Sequence, residues 1–147
     1  MLVQECMIRN VEIANPQMNL REVAKKMRDG DFGVMPVGEH DRLVGMITDR
    51  DIAIRAVAEG KDPAKTLVGD CMSKQVLYCY EDQTLEDVAK NLGDNQVRRL
   101  PVLNRQKRLV GILSLADLAL SDADPDQVEA ALYHISQKES HRSDVRA

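Results

Sequence analysis

Two short stretches of this chain carry residue types at a spacing that suits chemistry at a helix start. Gly45-Met46-Ile47-Thr48-Asp49-Arg50-Asp51 and Gly111-Ile112-Leu113-Ser114-Leu115-Ala116-Asp117 both read glycine, two apolar residues, a hydroxyl residue, two free positions and an aspartate. In each, the apolar pair ends a strand and the hydroxyl residue opens a helix. Backbone N–H groups left free in a first helical turn, together with the helix dipole, favour a phosphate. Asp51 and Asp117 stand one turn in, where a carboxylate can accept hydrogen bonds from a pair of neighbouring hydroxyls. Gly45 and Gly111 have no side chain, so a ligand could approach that strand closely. The spacing has a second reading. Thr-x-x-Asp and Ser-x-x-Asp ahead of a helix are also close to a capping box, in which both side chains serve only their own backbone.

The elements that must hold these residues are themselves duplicated. Cys6-Met7 recurs as Cys71-Met72 at a shift of 65, and Leu20, Val23, Ala24 and Lys25 recur as Leu85, Val88, Ala89 and Lys90. Pro36-Val37 recurs as Pro101-Val102. From there the shift is 66, pairing Leu43-Val44-Gly45 with Leu109-Val110-Gly111 and Asp51 with Asp117. The one inserted residue falls in Asn104-Arg105-Gln106-Lys107, where turn composition tolerates it.

Each half predicts the order β-α-β-β-α. Strands are expected near Val11 to Ala14, Phe32 to Val37 and Leu43 to Ile47, and again near Val76 to Tyr80, Arg98 to Leu103 and Leu109 to Leu113. The first helix of each half shows apolar residues at helical spacing, Leu20, Val23, Ala24 and Met27, then Leu85, Val88, Ala89 and Leu92. Asn19 with Glu22, and Thr84 with Asp87, read as N-terminal caps, while Gly30 and Gly93-Asp94-Asn95 read as stops. Second helices are expected from Asp49 to Glu59 and from Leu115 to Leu120, and a last one over Pro125 to Gln137. The predicted organisation is repeat 1 over 5–60, a linker over 61–70, repeat 2 over 71–121, and a helix with a polar tail over 122–147. At about 60 residues neither half can cover its own sheet. The fold class expected is therefore α+β, the two halves packed sheet to sheet about a pseudo-twofold axis with two related crevices between them.

Composition narrows the function. The chain has 147 residues, 44% of them apolar and 30% charged, and a formal net charge of −4. No run of about 18 apolar residues is present to span a membrane, no signal peptide is visible, and the cytoplasm is the expected compartment. The acidic balance speaks against a nucleic-acid surface. Three cysteines, Cys6, Cys71 and Cys79, lack metal-ligand or disulfide spacing, and His40, His134 and His141 add no metal pattern, so no metal is expected. No Cys/His or Ser/His/Asp arrangement, HExxH or GxxxxGK appears, and an enzyme is not expected.

The paired Leu-Val-Gly-h-h-Thr/Ser-x-x-Asp stretches, each preceded by a Pro-Val strand, resemble CBS domains. The tandem resembles a Bateman module of the stand-alone bacterial type, over about Cys6 to Leu120. That resemblance implies a regulatory module whose crevices bind an adenosyl ligand such as AMP, ADP, ATP, NAD or S-adenosylmethionine. No cofactor is required. Asp51 and Asp117 would take the ribose hydroxyls, and Thr48 and Ser114 the phosphate end. Val34 and Ile47 would lie on one side of adenine, Val97 and Ile112 on the other. The resemblance also places a basic residue against the phosphate just before the Pro-Val strand. Arg98 and Arg99 occupy that place where the first half has Gly33 and Val34, so the Asp117 crevice suits a charged phosphate better. Arg50 and Arg55 read as surface charges. A homodimer is implied, offered by Ile52, Ala53, Ala56 and Val57, together with a regulated partner protein. The alternative is an interaction scaffold whose crevices stay empty.

Overall fold

The computed structural model describes residues 1–95 and 99–114, with residues 116, 125, 126 and 129 besides. The helices expected over 115–120 and 125–137 therefore lie largely outside the described residues.

Helix α1 (Leu20–Gly30) forms where the apolar spacing predicts it, burying Leu20, Val23 and Met27. Ala24, read as part of the same stripe, is exposed. The Asn19 carboxamide oxygen accepts from the Glu22 N–H at 2.9 Å, satisfying a donor that the helix leaves open. The stop differs in detail from the expectation. Gly30 is the last helical residue, and Asp31 takes the left-handed conformation (φ 54°) that reverses the chain. Phe32 then folds back, its N–H on the Met27 carbonyl at 3.1 Å. Gly30 lets the Phe32 ring lie close, since a Cβ there would stand 2.3 Å from it.

In the sheet that follows, β1 (Val34–Glu39) pairs antiparallel with β2 (Arg42–Thr48), in a register that sets Val34 opposite Thr48 and Met35 opposite Ile47. His40 and Asp41, both at positive φ (54° and 63°), make the tight turn. Two such residues match the right-handed twist of the flanking strands. The strand expected at Val11 to Ala14 shrinks to one parallel bridge between Ala14 and Val37. Helix α2 (Asp49–Ile52) continues as a π-helical turn over Ala53–Val57, with the Ala58 N–H on the Ala53 carbonyl at 2.9 Å. Beyond it, α3 (Val68–Cys71) is a short helix inside and just past what reads as linker.

The second repeat gives β3 (Cys79–Tyr80), α4 (Leu85–Asn95), β4 (Arg99–Leu103) and β5 (Leu109–Ser114). The three strands form one sheet in the order β3-β4-β5. Helix α4 runs through Gly93 and Asp94, where a stop was expected, as far as Asn95. An interior glycine costs about 1 kcal/mol, which the burial of Leu85, Val88 and Ala89 offsets. The inserted residue sits in the β4-β5 turn, as predicted, with the Asn104 side chain accepting from the Gln106 N–H at 3.0 Å.

The chain forms two compact units, and they are offset from the sequence repeats. One unit is Val11–Val76 with Lys107–Leu109, the other Met1–Asn10 with Leu77–Gln106 and the residues from Val110 on. The core of the first holds Leu20, Val23, Met35, Val37, Ile47, Val68 and Cys71, and that of the second Val3, Met7, Leu85, Val88, Leu100, Val102 and Leu113. Each unit thus contains the lead-in that precedes the other repeat. The hydrogen bonds repeat with the sequence shift. Leu20 N–H meets Thr66 O at 3.0 Å, and Leu85 N–H meets Met1 O at 3.0 Å. Val68 N–H meets Met18 O at 2.8 Å, and Val3 N–H meets Gln83 O at 2.9 Å. Met46 and Ser73 exchange two bonds at 3.0 and 2.8 Å, as Ile112 and Ile8 do at 3.0 and 2.9 Å.

Candidate functional site

The strand-to-helix junction of the first unit is resolved atom by atom. Thr48 ends β2 in an extended conformation (φ −120°, ψ 160°) and its Oγ1 accepts from the Asp51 N–H at 3.0 Å. The Asp51 Oδ2 accepts in return from the Thr48 N–H, also at 3.0 Å. This is the capping box, the plainer of the two readings that the spacing allowed. Asp49 N–H donates to the Gly33 carbonyl at 2.9 Å, and Arg50 N–H to the Asp49 Oδ1 at 2.8 Å. The amides of Asp49, Arg50 and Asp51, expected to be free for a phosphate, are all taken. The physical reason is that Asp49 and Asp51 place two carboxylates at the positive end of the helix dipole themselves.

Two further expectations need correction, and a third needs completing. Gly45 and Gly111 do make room, but for the chain's own lead-ins. A Cβ on Gly45 would lie 2.7 Å from the Ser73 carbonyl oxygen, and one on Gly111 would lie 2.7 Å from that of Ile8. Ile47 has no exposed surface and belongs to the core, so it offers nothing to a base. The shift of 66 makes Met46 the counterpart of Ile112, and Ile47 that of Leu113. Coupling Ile47 with Ile112 mixed the two faces of a strand. Arg55 is exposed, as a surface charge should be, and is also held at several points. Its Nη1 donates to the Cys71 carbonyl at 2.9 Å and to that of Met72 at 3.2 Å, and its Nε lies 3.9 Å from the Asp51 Oδ1.

The first unit therefore brings together Val34, half-buried and opposite Thr48, with Thr48 and Asp51. The Asp51 side chain is 15% exposed and Arg55 47%. In the second unit Ser114 ends β5 half-buried, Ile112 is buried on the same strand, and Arg99 opens β4 exposed to solvent. Val97, Arg98 and Asp117 lie outside the described residues.

The remaining chemistry is quiet. Cys6, Cys71 and Cys79 form no disulfide. Burial pushes the Cys79 thiol up to about 12, which keeps it protonated and unreactive. Among the described residues, no group of three or more His, Cys, Asp or Glu side chains could hold a metal ion. No helix among them is long and apolar enough to cross a membrane. On the helix proposed for self-association, Ala56 is buried and Ile52 packs against the core, which leaves Ile54 and Val57 as the large apolar side chains facing outward.

The CBS domain pattern matches residues 3–57 and 68–123. The chain belongs to the CBS domain family. Both matches begin at the lead-ins, Val3 and Val68, so the family pattern keeps each lead-in with the repeat it precedes in sequence. The chain is similar to the CBS domain-containing protein YhcV of Bacillus subtilis, 36% identical over 139 residues, or 95% of this chain and 98% of that one. It is also similar to the crystal structure of Hypoxic Response Protein I with two coordinated zinc ions, at 34% identity and TM-score 0.73 over 82% of this chain and 98% of the other. A third similarity is to the CBS domain pair of protein MJ0100 in complex with 5′-methylthioadenosine and S-adenosyl-L-methionine. There the identity is 27%, the TM-score 0.71, and the coverage 82% of this chain and 94% of that one. The α+β class and the two CBS repeats expected from sequence are thereby established.

Proposed function

We propose that this CBS pair is a regulatory module that binds an adenosyl ligand and passes its presence to a partner protein by a change of conformation. The observation that carries this reading is the likeness to the MJ0100 pair, whose ligands are both adenosyl compounds. The residues that suit such a ligand are Thr48, Asp51 and Val34 in the first repeat, and Ser114, Asp117, Arg98, Arg99 and Val97 in the second. Asp51 would exchange its bond to the Thr48 N–H for the ribose hydroxyls, a substitution of one charge-assisted hydrogen bond for others. AMP, ADP or ATP fits the second repeat better, because Arg98 and Arg99 stand where the first repeat has the uncharged Gly33 and Val34. Self-association would use the exposed Ile54 and Val57, and light scattering reads it directly.

A second reading has one observation in its favour. The completed capping box at Thr48 and Asp51 needs no ligand, as a scaffold with empty sites would require. A thermal-shift panel of AMP, ADP, ATP, NAD and S-adenosylmethionine separates the two. Ligand at 100 times its dissociation constant adds about 2.7 kcal/mol of stability. A shift is expected for at least one compound, weakened more by Asp117→Ala than by Asp51→Ala. A flat response to all five would leave the scaffold.

A further inference from the structure

Arg55 touches two things that the sequence keeps twenty or more residues apart. On one side is Asp51, whose second carboxylate oxygen lies 3.9 Å from the Arg55 Nε. On the other are the Cys71 and Met72 carbonyls, which accept from its Nη1. Those carbonyls close α3 and begin the lead-in that pairs Ser73 with Met46 and then continues into the second repeat. One guanidinium is therefore shared between a carboxylate and the connecting chain. Arginine suits the task because its planar fork presents several donors in fixed directions. The second repeat has no arginine at the matching position. At the shift of 66 the counterpart of Arg55 is Ser121, although Cys6 and Met7 repeat Cys71 and Met72.

We infer that Arg55 is a positioning residue that couples the Asp51 carboxylate to the Cys71–Ser73 lead-in, so that engagement of Asp51 is felt in the connection between the repeats. The inference rests on the adenosyl reading only for what engages Asp51. Hydroxyl donors arriving at Asp51 weaken its hold on Arg55, and the guanidinium then gives its donors more fully to the two carbonyls. The lead-in tightens as the carboxylate is occupied. The direction of the effect follows from the sharing: whatever withdraws charge from Asp51 strengthens the other two contacts.

Amide hydrogen exchange on the full chain tests this without a ligand. The reporters are the Met72 amide, bonded to the Val68 carbonyl, and the Ser73 amide, bonded to that of Met46. Asp51→Asn keeps an acceptor for the Thr48 N–H but removes the charge. It should slow both reporters about two- to fivefold, the range expected of a half-exposed ion pair. Arg55→Gln should speed them, and Asp51→Asn added to Arg55→Gln should do nothing more. An equal effect of Asp51→Asn in both backgrounds, or none in either, overturns the coupling. If Arg55→Gln does not fold, Arg55→Lys takes its place, and a reduced Asp51→Asn effect in that background is the supporting result. AMP and S-adenosylmethionine are then added to the wild type. A compound that binds through Asp51 and leaves both reporters unchanged also overturns the coupling. Failure of both compounds to bind counts against the adenosyl reading, while the ligand-free cycle still decides the role of Arg55.

Discussion

The two strands that end in Thr48 and Ser114 pack alike at their glycines and differ in the charges that follow them in sequence. In the first, Thr48 is followed by Asp49, Arg50 and Asp51, and the two acidic side chains accept from the Arg50 and Thr48 N–H groups respectively. In the second, Ser114 is followed by Leu115, Ala116 and Asp117, and the residues matching Gly33 and Val34 are Arg98 and Arg99. The first junction brings two anions of its own to the positive end of its helix, whereas the second copy has Leu115 in place of Asp49 and carries Arg98 and Arg99 before its Pro-Val strand. Duplication has kept the packing and let the electrostatics diverge. The glycines show the conserved half of that statement, since Gly45 and Gly111 meet carbonyl oxygens at the same 2.7 Å.

The sharpest way to break the equivalence of the two units is to remove a lead-in. A fragment of residues 11–65 lacks Val68, Cys71 and the Ser73 pairing, and it should show no cooperative thermal transition by circular dichroism. Residues 11–76 should show one. If the shorter fragment melts as sharply as the longer, the lead-in is not part of the first unit's fold.

A smaller effect separates the units by pH. Cys79 is buried in the second unit, where the first buries Ala14 at the matching position. The thiol ionises at an ordinary value of 9.0 in the unfolded chain and at about 12 in the folded one. Its contribution to stability is complete below pH 9 and is lost as pH rises from there through 12. Near pH 10 the loss should reach about 1.4 kcal/mol. Cys79→Ala should remove this slope from denaturant titrations, and a slope that survives the substitution would assign it to another group.

The smallest effect concerns ligand charge. Asp49→Leu makes the first junction resemble the second and takes one anion from the helix start. Affinity for AMP relative to S-adenosylmethionine should rise about two- to fivefold, the usual scale of a charge near a helix terminus. Calorimetry with both compounds reads the ratio, and an unchanged ratio would mean that Asp49 does not set the preference.

Much of this was legible in the residues. The shift of 65 located both long helices, and the helical spacing of Leu20, Val23 and Met27 named the side chains that are buried. The turn insertion fell where Asn104 and Gln106 announced it. What the pattern could not give was pairing partners. Local periodicity says that Gly45 lies on a strand but not that Ser73 lies beside it, because that bond joins positions far apart in sequence. Alternation along a strand does tell its two faces apart, and a strict alignment by 66 would have matched Ile47 with Leu113. Arg55 was missed for a different reason. Its place four residues after Asp51 made that ion pair legible, whereas its other partners are backbone carbonyls, which carry no sequence signature.

The reciprocal placement of the lead-ins bears on how such a chain could fold at half its length. A single copy, with one lead-in and one body, could complete its sheet only by trading strands with another molecule, and its stability would then depend on dilution. Tethering two copies end to end makes the trade internal, at an effective concentration on the order of millimolar for a short flexible link. Monomeric folding at any protein concentration is then the simplest gain that the duplication brings.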